Sequence, residues 1–96
     1  MKLVSVKPAT NGKNKYTATF LKDNGRTKTT NFGAKGMDDF TLGASQDQRS
    51  HYRERHAKDL ETKDPTRAGF LSYYILWGDS TSLHENVRAY KKRFNL

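Results

Sequence analysis

The apolar run AGFLSYYILW at Ala68–Trp77 constrains the fold more than any other stretch of the sequence. Wound into a helix, it is apolar on nearly every side, and a helix of that kind is surrounded by protein. Asp64 and Pro65 precede the run, where an aspartate N-cap and a first-turn proline are favoured, and Gly78 follows it as a C-terminal stop. We therefore predict a central helix over residues 65–77 that the rest of the chain buries.

The remainder of the chain is polar: hydrophobic residues are 33% of the 96 residues, and the mean hydropathy is -0.98. Aromatic residues are 11% and cluster in periodic segments, which favours a small, lightly cored domain over a disordered chain. The apolar run is too short to span a bilayer, which takes about 20 residues, and the N-terminus lacks the apolar region of a signal peptide. We predict a soluble, intracellular protein with no membrane partner.

Antiparallel strands are predicted for the first third of the sequence. Alternation places Tyr16, Ala18 and Phe20 on one face, as expected for a half-buried strand. An Asn-Gly pair follows at positions 24–25, and this pair favours a hairpin turn because both residues tolerate positive φ. A β-meander of three strands over residues 1–32 is the simplest arrangement that accommodates these signals.

Helices are predicted for the second half. Residues 33–44 contain three glycines without a steady period and predict a connecting loop, and residues 45–96 form the helical part. Capping-box patterns begin a first helix at Ser45, over residues 46–61, and a last helix at Ser82. The last helix has one apolar face, formed by Leu83, Val87, Tyr90 and Phe94. The predicted fold class is α+β: a three-stranded antiparallel β-meander followed by three α-helices in a single small domain, residues 1–96.

Positive charge is unevenly distributed along the chain. The formal net charge is +8, from 18 Lys and Arg against 10 Asp and Glu. Residues 1–36 carry a net +7, residues 37–80 a net −2 and residues 81–96 a net +3. One explanation is that lysines keep a small sheet soluble and prevent its edge strands from pairing with other chains. However, like charges on neighbouring strands cost stability, and a bound polyanion would offset that cost. We predict binding to the phosphate backbone of nucleic acid, DNA or RNA, without sequence specificity.

The candidate nucleic-acid-binding residues are Lys13, Lys15, Lys28, Lys35, Arg49, Arg53, Arg88 and Lys92. Arg49 and Arg53 are one turn apart on the first predicted helix, and His51 and Arg55 form a second such pair. A solvated helix face, balanced by nearby acidic residues, is the alternative for this helix. The alternative partner for the basic surface is an acidic protein surface, which would make the chain a protein-interaction or capsid-associated module.

No catalytic constellation is present. His51 and His56 are five residues apart, off a common helix face, and the chain has no cysteine, so no metal site is predicted. Asp38 and Asp39 are adjacent acids in a glycine-rich loop, where such residues usually form turns. A metal-dependent nuclease is the third alternative and trails the other two. We predict no enzymatic activity, no catalytic residue and no cofactor.

Several stretches together resemble a family of small proteins of unknown function encoded by large nucleocytoplasmic DNA viruses. These stretches are NFGAKGMDDFT (31–41), RSHYRERHAKD (49–59), DPTRAGFLSYYILWG (64–78) and STSLHENVRAYKKRF (80–94). The resemblance implies a viral origin and a setting in the host cytoplasm or the virion, and it implies no catalytic residues. Within FGAKG, the glycines flanking Lys35 would let backbone N–H groups and an ammonium approach an anion, or would serve a tight crossing between sheet and helices.

Overall fold

The structure, a computed structural model, describes residues 1–96. Three strands form one antiparallel sheet in the order β1-β2-β3: β1 Lys2–Pro8, β2 Asn14–Leu21 and β3 Thr27–Ala34. Three helices follow: α1 Gln46–His56, α2 Ala68–Leu71, which continues as π-helical turns over Ser72–Leu76, and α3 Leu83–Arg93. Short 3₁₀ turns occupy Phe40–Leu42 and Ala57–Thr62. The predicted α+β fold, a three-stranded antiparallel meander followed by three helices, is confirmed.

The sheet buries one of its faces. Alternation along β2 turns Ala18 and Phe20 inward, where neither side chain is exposed. Leu3 on β1 pairs with Phe20 and is also buried, as is Phe32 on β3, which pairs with Tyr16. The side chains on the opposite face of the sheet are not buried, and most of them carry hydroxyl or amide groups: Thr17, Thr19, Thr29 and Asn31.

Strand β3 extends to Ala34, two residues beyond the predicted meander. Gly33 adopts φ 77°, a left-handed conformation that favours glycine, and a Cβ there would lie 2.7 Å from Leu76 Cδ1. The tight crossing between sheet and helices that FGAKG suggested is therefore present at this glycine. The connecting loop predicted for residues 33–44 begins two residues later, because its first two residues belong to the strand.

The central helix begins three residues later than the sequence indicated. We predicted a start at Pro65, whereas α2 begins at Ala68. The Asp64 side chain does accept from a backbone N–H, as expected of a cap: its Oδ1 accepts hydrogen bonds from the N–H and the Oγ1 of Thr66, at 2.9 and 2.7 Å. Two side chains of β3 also donate to Thr66. These contacts hold the segment before α2 as a turn against the sheet and delay the helix.

The core forms around α2, as predicted, and α3 covers it. The buried residues of α2 and its π-helical continuation are Phe70, Leu71, Ile75 and Leu76. Tyr90 of α3 is 1% exposed, its hydroxyl donates to the Pro65 carbonyl at 2.5 Å, and the Phe94 ring meets the Tyr90 ring edge-on at 4.8 Å. The apolar face predicted for the last helix therefore packs on the core. No helix in the structure is both long enough and apolar enough to cross a membrane.

Helix α1 lies at the periphery and has no fully buried residue. Both halves of the predicted capping box form: the N–H of Gln48 donates to Ser45 Oγ at 3.1 Å, and the N–H of Ser45 donates to Gln48 Oε1 at 2.8 Å. The α-helical hydrogen bonding ends at His56, and the 3₁₀ turn completes the segment that we predicted as helix. One face of α1 is therefore left open beside the sheet.

Candidate functional site

An open cleft of about 910 Å³ lies between one end of the sheet, the loop after β3 and one face of α1. Phe32, Leu76 and Trp77 belong to the hydrophobic core and also line this cleft. The charged and titratable side chains that line it are Lys13, Lys15, Asp38, Asp39, His51, Tyr52, Arg55 and His56. Apolar walls surrounded by convergent polar groups are typical of ligand-binding pockets, and this volume lies within their usual range of about 300–1,000 Å³.

Lys15, one of the predicted nucleic-acid-binding residues, forms a buried ion pair with Asp39. The Lys15 Nζ lies 2.5 Å from Asp39 Oδ2, and the two side chains are 11% and 1% exposed. The other oxygen, Asp39 Oδ1, accepts from the N–H and Oγ1 of Thr41 at 2.8 and 2.5 Å and caps the 3₁₀ turn. Lys15 therefore ties β2 to the loop before α1, and its charge is neutralised within the fold.

Lys13 and Lys35 come together beside the cleft. The N–H of Lys35 donates to the carbonyl of Lys13 at 2.9 Å, which joins the β1–β2 turn to the turn after β3. Both residues are exposed, and neither side chain has a carboxylate within 4.0 Å. Lys13 lines the cleft directly, and Lys35 precedes Gly36, which also lines it. Lys13 thus presents unpaired positive charge at the cleft, and the unpaired Lys35 is joined to it through the backbone.

Arg53 binds the C-terminal end of α2 and its π-helical turns. In those turns the N–H of Trp77 donates to the Ser72 carbonyl at 3.0 Å, instead of to the Tyr73 carbonyl that an α-helix would use. Arg53 supplies the missing donor: its NH1 lies 3.2 Å from the Tyr73 carbonyl and 2.7 Å from that of Trp77. The guanidinium also lies 4.0 Å from the centroid of the Tyr73 ring. The NH1 group of Arg53 is thus bound inside the fold.

Arg49, one turn before Arg53, holds the residues that follow. Its Nε donates to the Gly78 carbonyl at 2.7 Å, and its NH2 pairs with Asp79 at the same distance. A side chain at position 78 would collide with the carbonyl oxygen of Tyr74, so glycine is required there. The two arginines satisfy terminal carbonyls and place positive charge at the negative end of the helix dipole. The one-turn spacing predicted a shared face correctly, and that face meets α2.

The remaining predicted residues lie away from the cleft. Lys28 is half-buried, and its Nζ donates to Thr66 Oγ1 at 2.7 Å. Arg88 and Lys92 are exposed on α3, without a carboxylate within 4.0 Å, and neither lines the cleft. The structure therefore places Lys13 and Lys15 in the cleft and Lys35 beside it, with the other five predicted residues elsewhere.

Most of the positive charge has no carboxylate partner. Of the 18 lysines and arginines, only Lys15, Arg49 and Arg67 lie within 4.0 Å of a carboxylate. Asp23, in the turn between β2 and β3, accepts from the amino group of Met1 at 2.6 Å, and this contact lowers the pKa of the Asp23 carboxyl. The surplus of cations that the sequence contains is therefore not cancelled by ion pairing.

A stack of three aromatic rings lines the α1 side of the cleft. The Tyr52 ring lies flat between the Trp77 ring, at 4.6 Å and 10°, and the His56 ring, at 4.1 Å and 22°. Burial raises the pKa of the Tyr52 phenol, so this ring stays neutral at physiological pH. His56 Nδ1 lies 3.0 Å from Asp59 Oδ2, a contact that orients the imidazole at the open end of the stack.

His51, Arg55 and His56 line the cleft but were not among the predicted binding residues. The sequence did contain a signal for two of them, because His51 and Arg55 are four residues apart and share a helix face. What it did not reveal was that this face of α1 looks across at the end of the sheet. His56 stacks on Tyr52, which is four residues earlier on the same helix, and only the third ring of the stack, Trp77, is distant in sequence.

The acidic and histidine side chains do not assemble a metal site. No group of three or more His, Cys, Asp or Glu side chains is placed to hold a metal ion. The adjacent acids have separate roles: Asp39 is buried in its ion pair with Lys15, whereas Asp38 is exposed at the rim. That the protein uses no cofactor remains a prediction.

Comparison with protein families gives a match over residues 4–56, from β1 to the end of α1. The match covers just over half of the chain and includes Lys13, Lys35, Arg55 and both histidines of the cleft. Searches of the curated proteins and of the solved structures found no significant match. The matching description is a family of unknown function, DUF5754, and the chain belongs to this family.

Proposed function

We propose that the protein binds nucleic acid through the phosphate backbone, without sequence specificity. The observation that carries this proposal is the unpaired charge at the cleft rim, where the exposed Lys13 and Lys35 are joined through their backbones. Arg55 adds an exposed cation from the opposite wall, and it too has no carboxylate within 4.0 Å. Lysine and arginine that neutralise phosphates release condensed counterions, which drives binding to any sequence.

A large positive charge is confined to a small molecule. The protein measures 41 × 27 × 22 Å and carries a net charge of +8. At about 0.1 M salt the screening length is about 10 Å, so cations closer together than this repel each other. A polyanion removes this repulsion, whereas solubility alone does not require the net charge to be positive.

A second set of exposed cations on α3 supports an extended contact. Arg88 and Lys92 lie on this helix, and three consecutive basic residues, Lys91–Arg93, occupy its last turn. Lysine and arginine side chains contact phosphates irrespective of the bases. We place the primary contact at the cleft rim and a secondary contact on α3, and the proposal includes no base-edge readout and no enzymatic step.

We also propose a viral origin for the chain, with the host cytoplasm or the virion as its setting. This part of the proposal rests on the resemblance of FGAKG and the ILWG and STSL stretches to proteins of large nucleocytoplasmic DNA viruses. Membership in DUF5754 agrees with the resemblance at the level of a domain of unknown function.

A protein-interaction or capsid-associated module is the second candidate. Val4 on edge strand β1 is 58% exposed and Leu21 on β2 is 38% exposed, next to the lysine at position 2. Exposed apolar side chains beside a cation suit an acidic protein surface with an apolar centre. Loss of partner binding on Val4→Asp, with nucleic-acid affinity unchanged, would support this candidate.

The proposal is tested by removing the rim charges and measuring affinity for random-sequence duplex DNA by fluorescence anisotropy. The double variant Lys13→Gln/Lys35→Gln should weaken binding by about tenfold or more, because the lost phosphate contacts cost roughly one to two kcal/mol of binding free energy. The matched control is Lys22→Gln/Arg26→Gln, which removes the same charge at the β2–β3 hairpin, the other end of the sheet.

The control variant should weaken binding less than the rim variant. Equal weakening by both variants would mean that net charge alone acts, without a site at the cleft rim. Wild-type protein that fails to bind DNA or RNA even at low salt would overturn the proposed function itself.

A further inference from the structure

We propose that the cleft binds one unpaired nucleotide of a single-stranded nucleic acid, with its base against the His56 ring and its phosphate at the Lys13 rim. This inference rests on the proposed function and extends it, because it adds a preference for single strands over duplex. Three features carry it: an aromatic stack with one open end, an exposed methionine at the mouth, and cations on both walls.

The aromatic stack is open at His56. Tyr52 has both ring faces covered, by Trp77 and by His56, whereas His56 stacks on no ring other than Tyr52. The His56 side chain is 38% exposed and lines the cleft. A planar base placed on that free face would extend the stack by one ring, and aromatic side chains bind unpaired bases in this way.

Met37 lies at the mouth of the same cleft with no packing role to explain it. Met37 is 64% exposed, although the chain has few large apolar residues with which to build a core. The residue also lines the cleft. Methionine adapts to irregular apolar surfaces and makes favourable contacts with aromatic rings. Its exposure at the cleft fits a flat, partly apolar ligand that the free protein lacks.

Cations flank the position where the base would lie. Lys13 lines the sheet side and Arg55 lines the α1 side, where the His51 ring also lines the cleft. Of the two carboxylates in the rim loop, Asp39 is already bound by Lys15, and only Asp38 is exposed. A base bound at the stack would therefore have its phosphate within a predominantly positive rim.

Duplex nucleic acid cannot make this contact, because the ring faces of its bases are covered by their stacked neighbours. A single strand offers both the phosphate and an exposed base face, which predicts tighter binding than a duplex of equal phosphate number. A cleft of about 910 Å³ is large enough for a nucleotide, given that ligand pockets span about 300–1,000 Å³.

The test compares a labelled oligothymidylate with a duplex of matched phosphate number, using wild-type protein and two variants at position 56. His56→Ala removes the ring and should weaken single-strand binding by about five- to hundredfold while leaving duplex affinity nearly unchanged. His56→Phe keeps an aromatic ring without the imidazole and should retain the single-strand preference. His84→Ala, on the exposed side of α3, is the matched control and should change neither affinity.

Trp77 provides an independent readout because it is the only tryptophan and it lines the cleft. Titration with adenosine monophosphate or with the oligothymidylate should change its fluorescence, whereas ribose 5-phosphate and inorganic phosphate should change it far less. A response to the oligonucleotide alone would assign the site to a nucleotide within a strand, and a response to both would include the free nucleotide.

Met37→Ala keeps the test informative if His56→Ala is poorly folded, because Met37 is largely exposed and its truncation should not affect stability. It should weaken single-strand binding severalfold. Equal loss with His56→Ala and His56→Phe, or single-strand affinity unchanged in both His56→Ala and Met37→Ala, would overturn the inference. These results would leave duplex binding intact, whereas failure of the proposed function would abolish binding to both nucleic acids.

Discussion

Replacing Asp39 with alanine is expected to destabilise the fold severely, although the residue lies in a loop. The substitution removes the partner of the Lys15 ammonium, which is only 11% exposed, together with the acceptor for the N–H and Oγ1 of Thr41. Removing one member of a buried ion pair costs about 3–5 kcal/mol, because the other charge is left without a partner. For a domain of this size, stability totals about 5–15 kcal/mol, so the loss is a large fraction of the whole.

Urea unfolding followed by Trp77 fluorescence measures this loss, since that side chain is 8% exposed in the fold. Asp38→Ala is the matched control: the neighbouring carboxylate is exposed and outside any ion pair, so its removal should change the free energy of unfolding by less than about 0.5 kcal/mol. The double variant Lys15→Met/Asp39→Ala should be more stable than the sum of the single losses predicts, by about 1–3 kcal/mol, because it leaves no unpaired charge.

Strict additivity of the two substitutions, or an Asp39→Ala protein as stable as the wild type, would show that Lys15 and Asp39 do not form a stabilising buried pair. Either result would mean that Lys15 is solvated and free. Lys15 would then return to the set of phosphate-binding candidates, from which its ion pair with Asp39 removes it.

Three further predictions concern the helices and the turn before α2. Tyr90→Ala should cost about 3–5 kcal/mol in urea unfolding, because a 1%-exposed aromatic ring and its hydrogen bond to a carbonyl are both lost; a cost below about 1 kcal/mol would contradict the packing of α3. Arg53→Met should lower stability by about 2 kcal/mol or more through two unsatisfied carbonyls, yet leave duplex DNA affinity unchanged, as measured by anisotropy. Hydrogen bonds from Thr66 lower the pKa of Asp64, so ionised Asp64 stabilises the fold above its usual pKa of about 4, and this contribution is lost as the pH falls through the lowered value. Acid unfolding of Asp64→Ala should accordingly show a shallower loss of stability with falling pH than the wild type, and an identical pH profile would contradict the assignment.

Local patterns in the sequence predicted most of the fold. The alternation of Ala18 with Phe20 gave the buried face of β2, and the serines at the starts of α1 and α3 accept from the backbone N–H three residues on, as predicted. These signals depend on neighbours within a few residues. The delayed start of α2 does not, because it arises from hydrogen bonds between Thr66 and β3, more than thirty residues away.

The candidate site shows the same division. The one-turn spacing of Arg49 and Arg53 correctly predicted that they share a face, but their partners are carbonyls 20 or more residues along the chain. Lys15 meets Asp39 across 24 residues, which no local pattern reveals. Basic residues that the sequence grouped by charge therefore separate into those that stabilise the fold and those, such as Lys13, that remain unpaired.

The salt dependence of duplex binding shows whether the rim lysines contact phosphate. Dissociation constants of wild type and Lys13→Gln/Lys35→Gln should be measured between about 50 and 200 mM salt, where each phosphate contact contributes a log–log slope of about −0.9. We predict that the slope of the wild type is steeper than that of the variant by about two contacts, or roughly 1.8. Equal slopes for the two proteins would contradict it, since the unpaired rim lysines would then make no contact with phosphate.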